Sequence, residues 1–173
     1  PSGRTLGVPG TFGALMNSAT QNLTLEGEVG VIEALLDAPA GLQARGTAVI
    51  AHPHPLFGGT MHNKVVQTLA RAFVQCGWQA VRFNFRGVGA SAGQYDEGRG
   101  EALDMVRVIV QTAASGPLAL AGFSFGAFVT SHVVNMLGTE RAPEKLVLVG
   151  TAASRFDVAP VPQELHARTL VLH

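Results

Sequence analysis

An α/β protein, with one mostly parallel sheet covered by helices on both faces, is what this sequence predicts, and three observations carry the prediction. Short apolar segments of strand length alternate with longer ones whose apolar residues recur every three to four positions. Glycine and proline stand at most of the joints between them. The 173 residues amount to about one domain of chain, enough to bury a single core.

The elements follow in order. Residues 1–21 are small, polar and rich in glycine and proline, so a loose arm is expected there, with the folded domain over 22–173. "TLEGEVGVIEALLDAP" predicts two short antiparallel strands turning at Gly27 and Gly30. "GTAVIAH" predicts a buried strand. Val65, Val66, Leu69, Phe73 and Cys76 share a helical period that Gly77 closes, which would bury the lone cysteine thiol. "QAVRFNF" predicts the next strand. Leu103, Val106, Ile109, Val110 and Ala113 define a helix face over Glu101–Ala114, with Asp104 solvated on the polar side and Gly116-Pro117 as the stop. Then come strand "LALAG", helix Phe125–Leu137 closed by Gly138, strand "KLVLVG" and strand "RTLVLH".

Twelve basic and twelve acidic side chains cancel, so nothing marks an electrostatic footprint for nucleic acid or an anionic membrane. No apolar run reaches the eighteen or so residues of a membrane span, and "LGVPGTFGALMNSA" is a poor signal peptide because Pro9, Gly10 and Gly13 interrupt it. With a single cysteine, a reducing cytoplasmic setting and a small-molecule partner are expected.

The chemistry concentrates at Gly122-Phe123-Ser124-Phe125-Gly126. This is G-x-S-x-G at a strand-to-helix junction, the setting in which a tight turn presents a serine hydroxyl at the carboxyl edge of a sheet. The two glycines are required because side chains there would collide with the neighbouring strand and helix. The amide of Phe125, at the start of the helix, is placed to stabilise negative charge building beside Ser124. A serine that merely caps a helix is the bland alternative.

Three ordered motifs, "HPHPLFGGTMHNKVV" from His52, "NFRGVGAS" from Asn84, and the turn at Ser124, resemble those of the α/β-hydrolase superfamily. Within it the chain is similar to small bacterial serine hydrolases of carboxylesterase or dienelactone-hydrolase type. The resemblance runs from about Leu23 to the last residue. It implies the α/β-hydrolase fold, a Ser-His-Asp mechanism on carboxylic esters or related acyl compounds through an acyl-enzyme on Ser124, and no cofactor or metal. It also implies a second oxyanion donor in the loop after "GTAVIAH". Pro53 and Pro55 carry no N–H, so His52, His54 or Leu56 must donate from the backbone, and of these His54 and Leu56 are favoured equally.

Two rival readings stand beside this one. His52, His54 and His62 could suggest a metal-dependent hydrolase, although no acidic residue stands near them in sequence. A non-catalytic binding module keeping the fold is the other. Gly87-x-Gly89-x-x-x-Gly93 imitates a dinucleotide loop, but the following "GQYDEGRGE" is too rich in glycine and charge to open a helix at once. The simpler expectation is a tight turn in which Arg86 and Ser91 brace nearby loops, followed by an exposed stretch at Tyr95, Asp96 and Glu97.

In the family's order the acid follows the strand after the serine unit and the histidine comes last. "RTLVLH" is that strand, so acid and base are expected beyond His173, and the fold is expected to lack its last strand and helix. Asp157 is the weaker internal candidate for the acid. His132 lies eight residues along the helix from Ser124, about 12 Å of rise, and is expected to point away; neither His166 nor His173 has a context that marks a base. Only Thr151–Ala167 separates the last two strands, too little for a large lid, so an open site rimmed by Phe57, Phe123 and Phe156 is expected. An uncovered "RTLVLH" edge would favour self-association.

Overall fold

The computed structural model describes residues 19–41 and 43–173. Strand β1 (Ala19–Gly27) pairs antiparallel with β2 (Gly30–Ala38), Gly27 opposite Gly30, so the turn falls at the expected glycines. The strand begins within the stretch expected to be a loose arm; the remainder of that stretch lies outside the described residues. After it come β3 (Thr47–Ala51), α1 (Lys64–Gln75), β4 (Gln79–Phe83), α2 (Arg99–Thr112), β5 (Leu118–Phe123), α3 (Phe125–Leu137), β6 (Lys145–Val149) and β7 (Thr169–Leu172). They form one seven-stranded sheet in the order β1-β2-β4-β3-β5-β6-β7. The pairings from β4 through β3, β5 and β6 to β7 are parallel, while β2 joins β4 antiparallel.

Strand alternation divides the core into two layers. On one face Ala48, Ala80, Ala119 and Ala121 present small side chains, and α1 fills the space with Val66, Ala70, Phe73 and Val74, joined by Trp78. On the other face Val49, Val81, Phe83, Leu118 and Leu120 meet α2 and α3 through Met105, Val108, Ile109, Phe125, Val129 and Val133. Asn63 caps α1, its Oδ1 accepting from the amides of Val65 and Val66.

Two expectations are corrected here. Cys76 is exposed, not buried. The helix ends at Gln75 and the chain swings away at Gly77 (φ 85°), so Trp78, 2% exposed, takes the inward place that the period assigned to the cysteine. Helix α2 is also turned relative to the apolar face read from the sequence. Leu103 and Val110 are 39% and 55% exposed, whereas Glu101 and Asp104 are 0% and 1% exposed. Asp104 is therefore not a solvated charge. The rotation lets both carboxylates serve the loop that follows β4.

Among the described residues no helix is long and apolar enough to cross a membrane. On β7, Leu170, Val171 and Leu172 keep a large part of their surface in solvent. Between β6 and β7 the chain carries no helix longer than a 3-10 segment, Gln163–Arg168.

Candidate active site

Parallel strands β3, β5 and β6 all end at one edge of the sheet, and the candidate residues collect there. Ser124 sits between β5 and α3 with φ 54° and ψ −117°, one of three non-glycine residues among the described residues in the left-handed half of conformational space. An L-residue held there stores backbone strain of about 1–3 kcal/mol, which the packing around it must offset. Its amide donates to the Val149 carbonyl at 2.9 Å, and its own carbonyl accepts from Ala127 and Phe128 as α3 begins. The glycines are needed for space. A Cβ on Gly126 would strike the carbonyl oxygens of Ala51 and His52, and one on Gly122 would strike the carbonyl of Gly126. Gly126→Val is therefore expected to cost about 3 kcal/mol and to abolish activity with it; an unchanged melting temperature would show that the turn tolerates a side chain.

The loop after β3 is anchored from β4. Asn84 Oδ1 accepts from the Met61 amide at 2.9 Å, and Arg82 donates to the Met61 carbonyl at 3.0 Å while pairing with Asp37 at 2.9 Å. The motif around Asn84 proves to be a brace. Ser91 Oγ donates to the Asn84 carbonyl at 2.7 Å and accepts from the Glu33 amide at 2.9 Å. Glu33 takes the amides of Ala90 and the side chain of Asn84, and these bonds hold its carboxyl below the usual range. Arg86 forms a bidentate pair with Asp104, at 3.0 and 2.8 Å, and its amide donates to the same carboxylate. No helix opens directly after Gly87 and Gly89; α2 starts only at Arg99, and the resemblance to a dinucleotide loop ends there.

The two histidines after β3 have separate duties. His52 is fully buried; the Phe85 amide donates to its Nε2 at 3.1 Å, so the proton is on Nδ1, which donates to the Pro53 carbonyl at 2.7 Å. Burial pushes its pKa down to about 4. A histidine depressed in the folded state binds fewer protons than in the unfolded chain, so its stabilisation is complete above pH 6.5 and lost as pH falls toward 4. That loss should reach about 3 kcal/mol, read by urea unfolding at pH 7.5 and 4.5, and His52→Asn should flatten it.

His54 caps a 3-10 turn, Pro55–Phe57, where its Nδ1 accepts from the Leu56 amide at 3.2 Å. Its ring also meets Tyr95 Oη at 3.3 Å and packs on Phe125 with centroids 4.9 Å apart. The Leu56 N–H is thus occupied by the His54 side chain, and Leu56 is 64% exposed. The ring nitrogens of His52 and His54 are engaged within the chain, and the described residues contain no group of three His, Cys, Asp or Glu side chains that could hold a metal ion.

No histidine ring is hydrogen-bonded to the Ser124 hydroxyl among the described residues. His132 donates from Nε2 to the Asp157 carbonyl at 2.8 Å, and His166 donates to the Val161 carbonyl at 3.0 Å. His62 is exposed and bonds through its backbone, the amide donating to Thr60 Oγ1 and the carbonyl accepting from Gln67 Nε2, and His173 follows the last strand. The carboxylate of Asp157 is exposed and makes no hydrogen bond or ion pair among the described residues. Of the expected rim, Phe57 is 83% exposed, while Phe123 and Phe156 are half-buried. Phe156 stacks on Phe128, centroids 5.1 Å apart, and both abut Phe125.

Sequence reasoning missed Tyr95, Asp104 and Glu101. Tyr95 is half-buried between His54 and Phe125, not part of an exposed loop. One signal was available: an arginine directly after a buried strand requires a carboxylate partner nearby.

A strained serine between obligatory glycines, at the carboxyl edge of a sheet in this strand order, defines an α/β-hydrolase. The sequence model of the family described as serine aminopeptidase, S33, matches residues 43–171. The chain belongs to that family of α/β-hydrolases. It is similar to an α/β serine hydrolase without lid from Xanthomonas campestris, at 39% identity and a TM-score of 0.78, with 88% of this chain and 69% of that one covered. An α/β serine hydrolase homologue from Coxiella burnetii is 33% identical with a TM-score of 0.70, covering 88% and 86%. An uncharacterised protein of Rickettsia prowazekii is 41% identical over 91 residues, which is 50% of this chain and 38% of that protein's length.

Proposed function

We propose that this protein is a cytoplasmic serine hydrolase that cleaves small carboxylic esters through an acyl-enzyme on Ser124. The observation that carries the reading is the backbone of Ser124, held at φ 54° at the N-terminus of α3 by glycines that admit no side chain. The strain presents the hydroxyl for attack. Ser124 Oγ bonds to the substrate carbonyl carbon as a histidine takes its proton; the carbonyl oxygen becomes an oxyanion; the alcohol leaves with that proton; and water then releases the acid by the same steps.

For the oxyanion we assign the amides of Phe125 and His54. Phe125 is the first residue of α3, where amides lack intrahelical acceptors. Between the candidates after β3, His54 is favoured because the Leu56 amide already donates to the His54 ring. The base and its acid partner are assigned to chain following His173. That assignment is supported by the engagement of His52, His54, His132 and His166 elsewhere, and by the greater length of the Xanthomonas hydrolase. The short β6-to-β7 connection and the exposed ring of Phe57 suit an open, apolar-rimmed site for short acyl groups.

The test is hydrolysis of p-nitrophenyl acetate against alanyl p-nitroanilide by the full encoded chain, with a fluorophosphonate probe to locate the nucleophile. Ester turnover with label on Ser124, insensitive to chelator, is expected. Faster anilide cleavage would move the substrate class to peptides, and loss of label with chelator would revive the metal reading.

A further inference from the structure

We infer that Tyr95 is a positioning residue for the oxyanion donor, acting through the His54 ring; the inference rests on the assignment of the His54 amide above. The direction of each hydrogen bond follows from chemistry alone. The Leu56 amide can only donate, so His54 Nδ1 must accept and carries no proton. In the neutral ring the proton is then on Nε2, which donates to Tyr95 Oη at 3.3 Å. Burial lowers the His54 pKa, which keeps the ring neutral and the arrangement intact. The ring is held at both ends, by the start of the 3-10 turn and by a tyrosine from the loop after β4. Its own backbone N–H lies at the base of the same residue.

The loop that carries Tyr95 is itself held by an unusual expenditure. Glu101 is fully buried, and its two carboxylate oxygens accept from the amides of Asp96 and Gly98 at 2.8 and 2.9 Å. Burying a carboxylate is costly unless it is fully hydrogen-bonded, and here the bonds go to backbone just after Tyr95. Asp96 adds a bond from the Gly100 amide at 3.0 Å. The tyrosine ring packs on His54 and Phe125, centroids 5.0 and 5.7 Å away. A loop that only had to cross the surface would need neither the buried carboxylate nor the ring contacts.

An oxyanion donor acts on the transition state, so misplacing it lowers kcat and spares KM. In the full encoded chain, Tyr95→Phe is expected to lower kcat for p-nitrophenyl acetate about tenfold, less than the 10²–10³ lost with an entire donor, with KM within about twofold. His54→Asn can still cap the Leu56 amide but cannot reach Tyr95. In that background Tyr95→Phe should have no further effect. A second measurement, ¹⁵N NMR of the wild-type His54 ring, should show an unprotonated Nδ1 and a protonated Nε2. Additive losses in the double variant, a change confined to KM, an unaltered kcat in Tyr95→Phe, or an Nδ1–H ring would each overturn the inference. Retained turnover in Ser124→Ala would instead sink the serine reading, and the ring tautomer would still stand as measured.

Discussion

Ser124→Ala in the full encoded chain should lower kcat for p-nitrophenyl acetate by about 10⁴-fold or more and leave the fold intact. The hydroxyl makes no hydrogen bond that the fold depends on among the described residues, so its removal deletes the attacking atom and little else. Ser124→Gly makes the sharper experiment. Glycine occupies φ 54° without penalty, so this variant should unfold at a higher temperature than the wild type while remaining equally inactive. The gain should be about 1 kcal/mol. A serine conserving only a helix cap would behave in the opposite way, since a cap lost to glycine brings no stability. Residual turnover above a tenth of wild type in either variant would remove Ser124 from the chemistry.

Asp104→Ala is expected to cost about 3–5 kcal/mol, the largest stability loss of any single charge in the described residues. Its carboxylate, 1% exposed, accepts from the guanidinium and the backbone amide of Arg86, which is 8% exposed. Truncation leaves a guanidinium out of water with no counter-charge. A guanidinium keeps its proton at any ordinary pH, so the cation cannot escape by becoming neutral. At about 2–4 °C per kcal/mol for a domain of this size, the melting temperature should fall by about 6–20 °C. The exposed pair Arg99–Asp96, with side chains 72% and 42% exposed, is the control, and Arg99→Ala should change stability by less than about 1 kcal/mol. A small effect at Asp104 would mean that water reaches Arg86 once the carboxylate is gone.

The strand and helix order, the hairpin at Gly27 and Gly30, and the turn at Ser124 were all legible in the sequence because they rest on local physics. Apolar periodicity of two or of three to four reports which way successive side chains point. A glycine two residues either side of a serine reports a backbone that leaves no room for Cβ. What stayed hidden depended on partners distant in the chain. The burial of Asp104 and Glu101 could not be read from α2 alone, since a carboxylate at a helical position looks solvated until Arg86 and the amides of Asp96 and Gly98 arrive opposite it. The same holds for the choice between His54 and Leu56. Both amides were equal candidates in sequence, and the preference for His54 proposed above draws on the folded loop, which turns the His54 ring back onto the Leu56 N–H and sets Tyr95 against its far side. Local steric rules are short-ranged and leave a mark in consecutive residues, whereas a hydrogen bond between residues forty positions apart exists only once the sheet has brought their loops to one edge.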